Sequence, residues 1–196
     1  MFLRNNKMAS RIIVLISVFM LQFSVVSCET KTVSLSKIDK SSVVSAMQDV
    51  LGLQEFDAID YDHYYIEDDY LMVYCSDLDD PGKKELHLTE NLRAIDRSDD
   101  DSFVHVSYFV FTSESEAEYY FHSQYCYIER QQARGDSSDT ISGYTPGTSG
   151  YFIKTEKSEY EAVYFVDDMV ITVTVSDLEN VERAQEFLQT LGLPIQ

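Results

Sequence analysis

Hydrophobic and polar positions follow two different periods along the part of the chain after residue 36. A period near 3.6 residues, typical of amphipathic helices, recurs over residues 38–51, 113–134 and 178–191. A period of two, typical of strands, is clearest over residues 102–111, where bulky side chains occupy both faces. Such a strand is expected inside a sheet that is covered on both sides. Further strands are predicted at residues 64–66, 70–75, 151–155, 160–166 and 170–175, and a short strand at 85–88 is left open.

These elements predict an α+β fold, in which three helices pack on a mainly antiparallel sheet of five or six strands. Gly52 is expected to end the first helix. Ser113 and Ser176 are expected to begin the second and third, because each serine precedes a glutamate by three residues. The last helix is predicted to direct five apolar residues inward: Leu178, Val181, Ala184, Leu188 and Leu191. Residues 77–101 and 135–150 are predicted to be mostly turns and loops.

The first 27 residues differ from the rest of the chain. A basic stretch at residues 1–11 precedes an apolar run of about 15 residues at 12–26, which is shorter than the ~20 residues that span a bilayer as a helix. This order of charge and hydrophobicity is typical of a secretory signal peptide. The run ends in Val25-Val26-Ser27-Cys28, which resembles the lipobox of bacterial prolipoproteins, with valine where leucine is commoner.

The resemblance covers residues 1–28 only, and it implies a lipid on the sulfur of Cys28 and cleavage after Ser27. It also implies a place outside the cytoplasm, on the cell membrane or the outer membrane, because two or three acyl chains anchor a protein stably. The alternatives are an ordinary signal peptide with a chance cysteine and an uncleaved membrane anchor. We therefore divide the chain into a signal peptide at 1–27, a lipidated tether at 28–36 and a single domain at 37–196.

Charge limits the partners of this domain. The chain has 34 acidic and 15 basic residues, and three of the basic ones precede Cys28, so the part from Cys28 onward has 12 basic residues and a net charge of −22. Such a surface repels phosphate backbones and anionic lipid headgroups, which excludes nucleic-acid binding and membrane attachment through a basic patch. Self-repulsion also favours a monomer.

Catalytic motifs are absent from the sequence. It contains no Gly-x-Ser-x-Gly, no His-Glu-x-x-His, no Walker-type glycine loop and no Cys-x-x-Cys. No catalytic residue, metal ligand or cofactor is therefore assigned. The alternative is an exported hydrolase, whose site would combine His105 with carboxylates scattered along the chain.

Acidic turns support a third function, a cation-responsive module. The candidate ligands are Asp77, Asp79, Asp80, Asp99, Asp100 and Asp101. An EF-hand is excluded, because Pro81 and Leu88 stand at the fifth and twelfth positions of the loop that Asp77 would begin. A looser site for a hard cation stays open, and acidic turns in water are the simpler interpretation.

Cysteine and tyrosine provide the last candidates. Cys75 and Cys126 could form a disulfide outside the cytoplasm, and two buried free thiols are the alternative. Five of the 14 tyrosines are a candidate aromatic binding face, because tyrosine suits wet interfaces: Tyr61, Tyr64, Tyr65, Tyr70 and Tyr74. Together these patterns favour a membrane-tethered, non-enzymatic module that binds an envelope protein or another surface ligand.

Overall fold

The structure is a computed structural model that describes residues 33–53, 64–65, 69–75, 82–97, 102–132, 139–156 and 159–195. Within these ranges the chain forms three helices: α1 (Lys40–Leu51), α2 (Glu114–Gln132) and α3 (Leu178–Thr190). The strands of the same ranges are β1 (Tyr64–Tyr65), β2 (Tyr70–Cys75), β3 (Gly82–Arg97), β4 (Phe103–Phe111), β5 (Asp139–Thr145), β6 (Ser149–Thr155), β7 (Glu159–Val166) and β8 (Met169–Ser176).

The strands form one antiparallel sheet in the order β1-β3-β4-β8-β7-β6-β5, and β2 also pairs with β3. Arg93 of β3 pairs with Tyr65 of β1 and with Ser107 of β4, so β1 lies on the edge of β3 that faces away from β4. The N–H of Leu88 donates to the carbonyl of Asp69, directly before β2, so β2 lies along the same edge of β3 as β1. Within the described residues the sheet therefore has seven positions, the first shared by β1 and β2. The α+β prediction is confirmed, whereas five or six strands is too few.

The strand β3 explains part of this difference. The sequence predicted only a short strand within the turns of residues 77–101, but β3 runs for 16 residues. A register shift between Leu88 and Glu90 interrupts its pairing with β4. Because a bulge adds one residue, Leu86 packs on one face of the sheet and Leu92 on the other, although both positions are even. Simple alternation therefore could not identify β3.

The prediction of a loop over residues 135–150 is wrong for Asp139–Thr145, which form β5. Asp139, Thr140 and Ser142 are exposed, and Ile141 is half-buried. This is the edge strand of the sheet, and it contributes few apolar side chains to the core. Its sequence therefore has the polar composition of a loop, while pairing with β6 holds it as a strand.

Both faces of the sheet are covered. The helices α1 and α3 pack on one face, together with four residues of β4: Val104, Val106, Tyr108 and Val110. The helix α2 packs on the other face, where Ala117 and Phe121 contact the cluster that contains Phe109 and Phe111 of β4. The prediction that β4 is an internal strand covered on both sides is confirmed. We call the two sides the α1/α3 face and the α2 face.

The helix ends agree with the sequence at two of three positions. Gly52 ends α1 with a φ of 69°, and the Oγ of Ser113 accepts from the N–H of Glu116 at 3.3 Å at the start of α2. The predicted start of α3 at Ser176 is wrong. Ser176 ends β8, and Asp177 caps α3 by accepting from the N–H groups of two residues, at 2.8 and 3.3 Å.

The buried face of α3 differs from the prediction at its first residue. Val181, Ala184 and Leu188 are buried as expected, but Leu178 is 69% exposed. Phe187, which the prediction omitted, is fully buried. Because the helix begins one residue after Asp177, Leu178 lies in its first turn, directed away from the sheet.

Candidate functional site

Several predicted site residues lie outside the described part of the chain. These are Cys28, Tyr61 and all six candidate cation ligands: Asp77, Asp79, Asp80, Asp99, Asp100 and Asp101. The lipidation site and the two acidic turns therefore stay predictions.

The remaining tyrosines of the predicted aromatic face lie on the edge of the sheet. Tyr64 and Tyr65 are in β1, and Tyr70 and Tyr74 are in β2. Tyr70 is 43% exposed, and Met72, two residues further along β2, is 44% exposed. Since alternate residues of a strand share a face, Tyr70 and Met72 form one exposed apolar patch, which we call the β2 patch.

The two candidate disulfide cysteines lie on elements that pack together. Cys75 is the last residue of β2, two positions after the buried Val73, and Cys126 is in α2, which packs against β2. The bridge itself stays a prediction.

The last residues of the predicted tether, 33–36, and the first residues of the predicted domain are fastened to the sheet. The N–H of Val33 donates to the Oγ1 of Thr145 at 3.1 Å, and the carbonyl of Val33 accepts from Thr145 and Ser149 at 2.7 and 3.1 Å. The hydroxyl of Tyr108 donates to the carbonyl of Ile38 at 3.1 Å. We call residues 33–39 the docked segment, because it is bound to the sheet at both ends.

An ion pair between Lys37 and Asp168 adds a further contact of the docked segment. Two open crevices flank the segment, with volumes of about 440 and 550 Å³. The first lies against the end of α3, and the second against Glu90 and Tyr108. Both crevices open to solvent and are lined in part by the docked segment.

A hydrogen-bonded network joins α2 to the hairpin of β5 and β6. The hydroxyl of Tyr144 donates to Glu118, which also accepts from the N–H of Gly147 at 2.8 Å. The Nε2 of His122 lies 3.1 Å from the same hydroxyl. Because Tyr144 gives its only proton to Glu118, the Nε2 of His122 is assigned as the donor to Tyr144.

The electrostatics of this network hold His122 and Tyr144 uncharged near neutral pH. Burial raises the pKa of Tyr144, and its hydrogen bond to Glu118 raises that pKa further. Burial also lowers the pKa of His122, although the negative charge of Glu118 opposes this. A general acid or base works best with a pKa near the working pH, so a tyrosine made less acidic is poorly suited to proton transfer. The network is better suited to clamping α2 to the hairpin.

His105, the histidine of the hydrolase alternative, lies on the α2 face of the sheet. Its Nε2 is 3.3 Å from the Oγ of Ser107, two residues along β4. Ser107 is 3% exposed. A serine nucleophile needs an accessible hydroxyl and a base usually within 2.6–3.2 Å. The pair therefore has the residue types of a catalytic dyad without its accessibility.

A row of polar residues crosses four strands beside His105. His105 pairs with Thr174, Thr174 with Glu161, and Glu161 with Lys154. Residues directly opposite each other in an antiparallel sheet share a face, so all four lie on the α2 face. Burial raises the pKa of Glu161, and Lys154 offsets this only in part. We call these four residues the polar row.

Sequence reasoning missed both the Glu118–Tyr144–His122 network and the polar row. The signal that could have found the first is the spacing of Glu118 and His122, four residues apart on one helix face. The polar row depends on strand register, which the sequence does not specify without the turns and bulges.

No protein-family model and no curated protein matches the chain. Among the described residues, no helix has the length and hydrophobicity needed to cross a membrane. In the same part of the chain, no group of three or more His, Cys, Asp or Glu residues is arranged to hold a metal ion.

Proposed function

We propose that this chain is a bacterial lipoprotein whose acidic domain is anchored by lipid on Cys28 and acts as a non-enzymatic binding or assembly module outside the cytoplasm. The observation that supports the proposal best is the docked segment. Only five residue steps separate Cys28 from Val33, which is already hydrogen-bonded to the sheet. A folded domain that begins directly after a lipobox-like sequence is the arrangement expected of an anchored protein.

Metabolic labelling with a fatty acid tests the anchor. The wild-type chain should take up label and fractionate with membranes, whereas Cys28→Ala should take up none and be released or accumulate as a precursor. Cys75→Ala is the matched control, because it removes a cysteine outside the lipobox and should retain the label. Label that persists on Cys28→Ala would contradict the anchor.

The geometry around Ser107 disfavours one form of the hydrolase alternative, in which a serine nucleophile would act with His105. The hydroxyl of Ser107 is buried beside His105, so we expect no reaction with a fluorophosphonate probe of serine hydrolases. Probe incorporation in the wild-type domain that is lost in Ser107→Ala would favour the hydrolase instead.

The partner that we propose is a basic envelope protein, and the surface that would contact it is the β2 patch. Exposed Tyr and Met side chains are enriched at interfaces, and a domain of net charge −22 attracts a basic surface. A double substitution, Tyr70→Ser with Met72→Ser, should abolish partner capture by the anchored protein. The control Leu178→Ser removes a different exposed apolar side chain and should leave capture intact. Equal capture by all three proteins would exclude the β2 patch.

A further inference from the structure

The docked segment limits how an anchored domain can be oriented, and this inference rests on the lipid anchor proposed above. From Cys28 to Val33 the chain can extend at most about 18 Å, even when fully stretched. Val33 lies beside Ser149, its carbonyl accepting from the Ser149 hydroxyl at 3.1 Å. Ser149 pairs with Val166, which is the last residue of β7. Val33 therefore marks the level of one end of the sheet.

Three connections meet at that end. The N–H of Asp167, in the turn between β7 and β8, donates to the carbonyl of Thr148, in the turn between β5 and β6, at 2.8 Å. The N–H of Phe111, the last residue of β4, donates to the carbonyl of Asp168 at 2.8 Å. We call these two turns and the end of β4 the turn end of the domain.

The opposite end of the sheet lies too far from Val33 to reach the bilayer. Glu159, at the start of β7, pairs with Ser176, at the end of β8. Seven residue steps separate Glu159 from Val166, which corresponds to about 23 Å along the strand. If the end near Glu159 rested on the membrane, Val33 would stand about 23 Å above it, beyond the ~18 Å that the chain from Cys28 to Val33 can span.

We propose that the turn end faces the lipid surface and that the end marked by Glu159 and Ser176 points away from it. Asp167 and Asp168 make the turn end acidic, so attraction to anionic headgroups does not set the orientation; the short tether does. On the α2 face, the polar row then lies toward the outer end of the domain, because His105 precedes Phe111, the residue of β4 at the turn end, by six residues. A partner that approaches from the aqueous side would meet this outer part first.

Fluorescence quenching in phosphatidylcholine vesicles that contain a nitroxide-headgroup lipid tests the orientation. The full lipidated chain is labelled at Thr148→Cys in one preparation and at Glu159→Cys in another, both exposed positions. The unsubstituted chain treated with the same dye gives the background from its own cysteines. We expect several-fold stronger quenching at Thr148→Cys. Equal quenching, or stronger quenching at Glu159→Cys, would overturn the proposed orientation.

Two further measurements separate the anchor from the orientation. Intact mass and co-sedimentation show whether the protein carries lipid and binds vesicles; failure here would overturn both proposals, whereas bound protein with equal quenching overturns the orientation alone. Insertion of a ten-residue Gly/Ser linker between Lys31 and Thr32 should reduce the difference between the two labels. A difference that survives the insertion would show that surface contacts, rather than tether length, orient the domain, and would overturn the proposal that the short tether sets the orientation.

Discussion

Gly150 lies beneath three aromatic rings on the α2 face, where β6 pairs with Tyr144 of β5. A Cβ at this position would stand 2.9 Å from Phe165, 3.0 Å from Tyr144 and 3.2 Å from Phe121. Phe165 is fully buried, so its ring has little room to move. We expect Gly150→Ala to lower the free energy of unfolding by ~1–3 kcal/mol, because a methyl group overpacks this site.

Denaturant melts of the domain measure this effect. Ser142→Ala is the control, because Ser142 is exposed on the same strand and face as Tyr144 and should change stability by less than ~0.5 kcal/mol. Wild-type stability of Gly150→Ala would show that the three rings do not pack as described.

His122 makes the stability of the domain depend on pH. Burial lowers its pKa in the folded state, whereas in the unfolded chain the imidazole titrates near its ordinary value of ~6.5. Below that value the unfolded state binds more protons than the folded state, so the folded state loses stability as pH falls. His122→Gln retains an N–H donor for Tyr144 but cannot titrate. It should therefore lose less stability than the wild type on acidification.

The measurement is the melting temperature of both proteins at several pH values from ~7.5 down to ~5, an interval that spans the histidine range. Comparing the two proteins cancels the contributions of other titrating groups, including Glu161, whose raised pKa acts in the opposite direction. Parallel curves would mean that protonating His122 costs the folded state nothing.

At the scale of elements, the predicted inward face of α3 is right at Leu188 and wrong at Leu178. Leu188 is fully buried against the sheet, and Leu178 is 69% exposed on the same helix. Leu188→Ala should therefore cost ~2–5 kcal/mol of unfolding free energy, since it leaves a cavity in the core. Leu178→Ala keeps the same chemistry at an exposed site and should cost less than ~0.5 kcal/mol. Equal losses in the two variants would mean that α3 is rotated relative to the sheet.

The packing of α2 against β2 supports a test of the predicted bridge between Cys75 and Cys126. Protein isolated from the envelope without reduction should be lighter by the two thiol hydrogens, and a reductant should restore them and lower the melting temperature. The double variant Cys75→Ser with Cys126→Ser should have the melting temperature of the reduced protein, and a reductant should not change it. Two free thiols in the unreduced protein would exclude the disulfide.

The elements that the sequence predicts well are those with one undisturbed period. The strand β4 alternates between two apolar faces, and α1 ends at a glycine with a φ of 69°, so both are identified from local pattern alone. The bulge in β3 shifts its alternation, and the edge position of β5 gives it a polar composition. In the Glu118–Tyr144–His122 network, local spacing places Glu118 and His122 on one helix face, but Tyr144 lies 26 and 22 residues away from them and joins them only through tertiary packing.

For the whole molecule, the net charge of −22 from Cys28 onward sets the behaviour in solution. Self-repulsion opposes both the compact state and association, so we expect the unlipidated domain to be monomeric by light scattering. Sodium chloride screens exposed charges beyond ~8–10 Å at physiological ionic strength. Moderate salt should therefore raise the melting temperature slightly, without dependence on the identity of the ion.

Calcium distinguishes this general screening from a specific site. The acidic turns at Asp77–Asp80 and Asp99–Asp101 lie outside the described residues, and the first lacks the twelfth-position glutamate of a calcium loop. Melting curves at matched ionic strength, one set in NaCl and one with millimolar calcium, should therefore coincide. A ligand that binds only the folded state raises its stability with concentration, so a calcium-specific rise of several degrees would contradict this expectation. Asp79→Asn and Asp100→Asn, made separately, would then locate the ion, because only the variant in the occupied turn would lose the calcium effect.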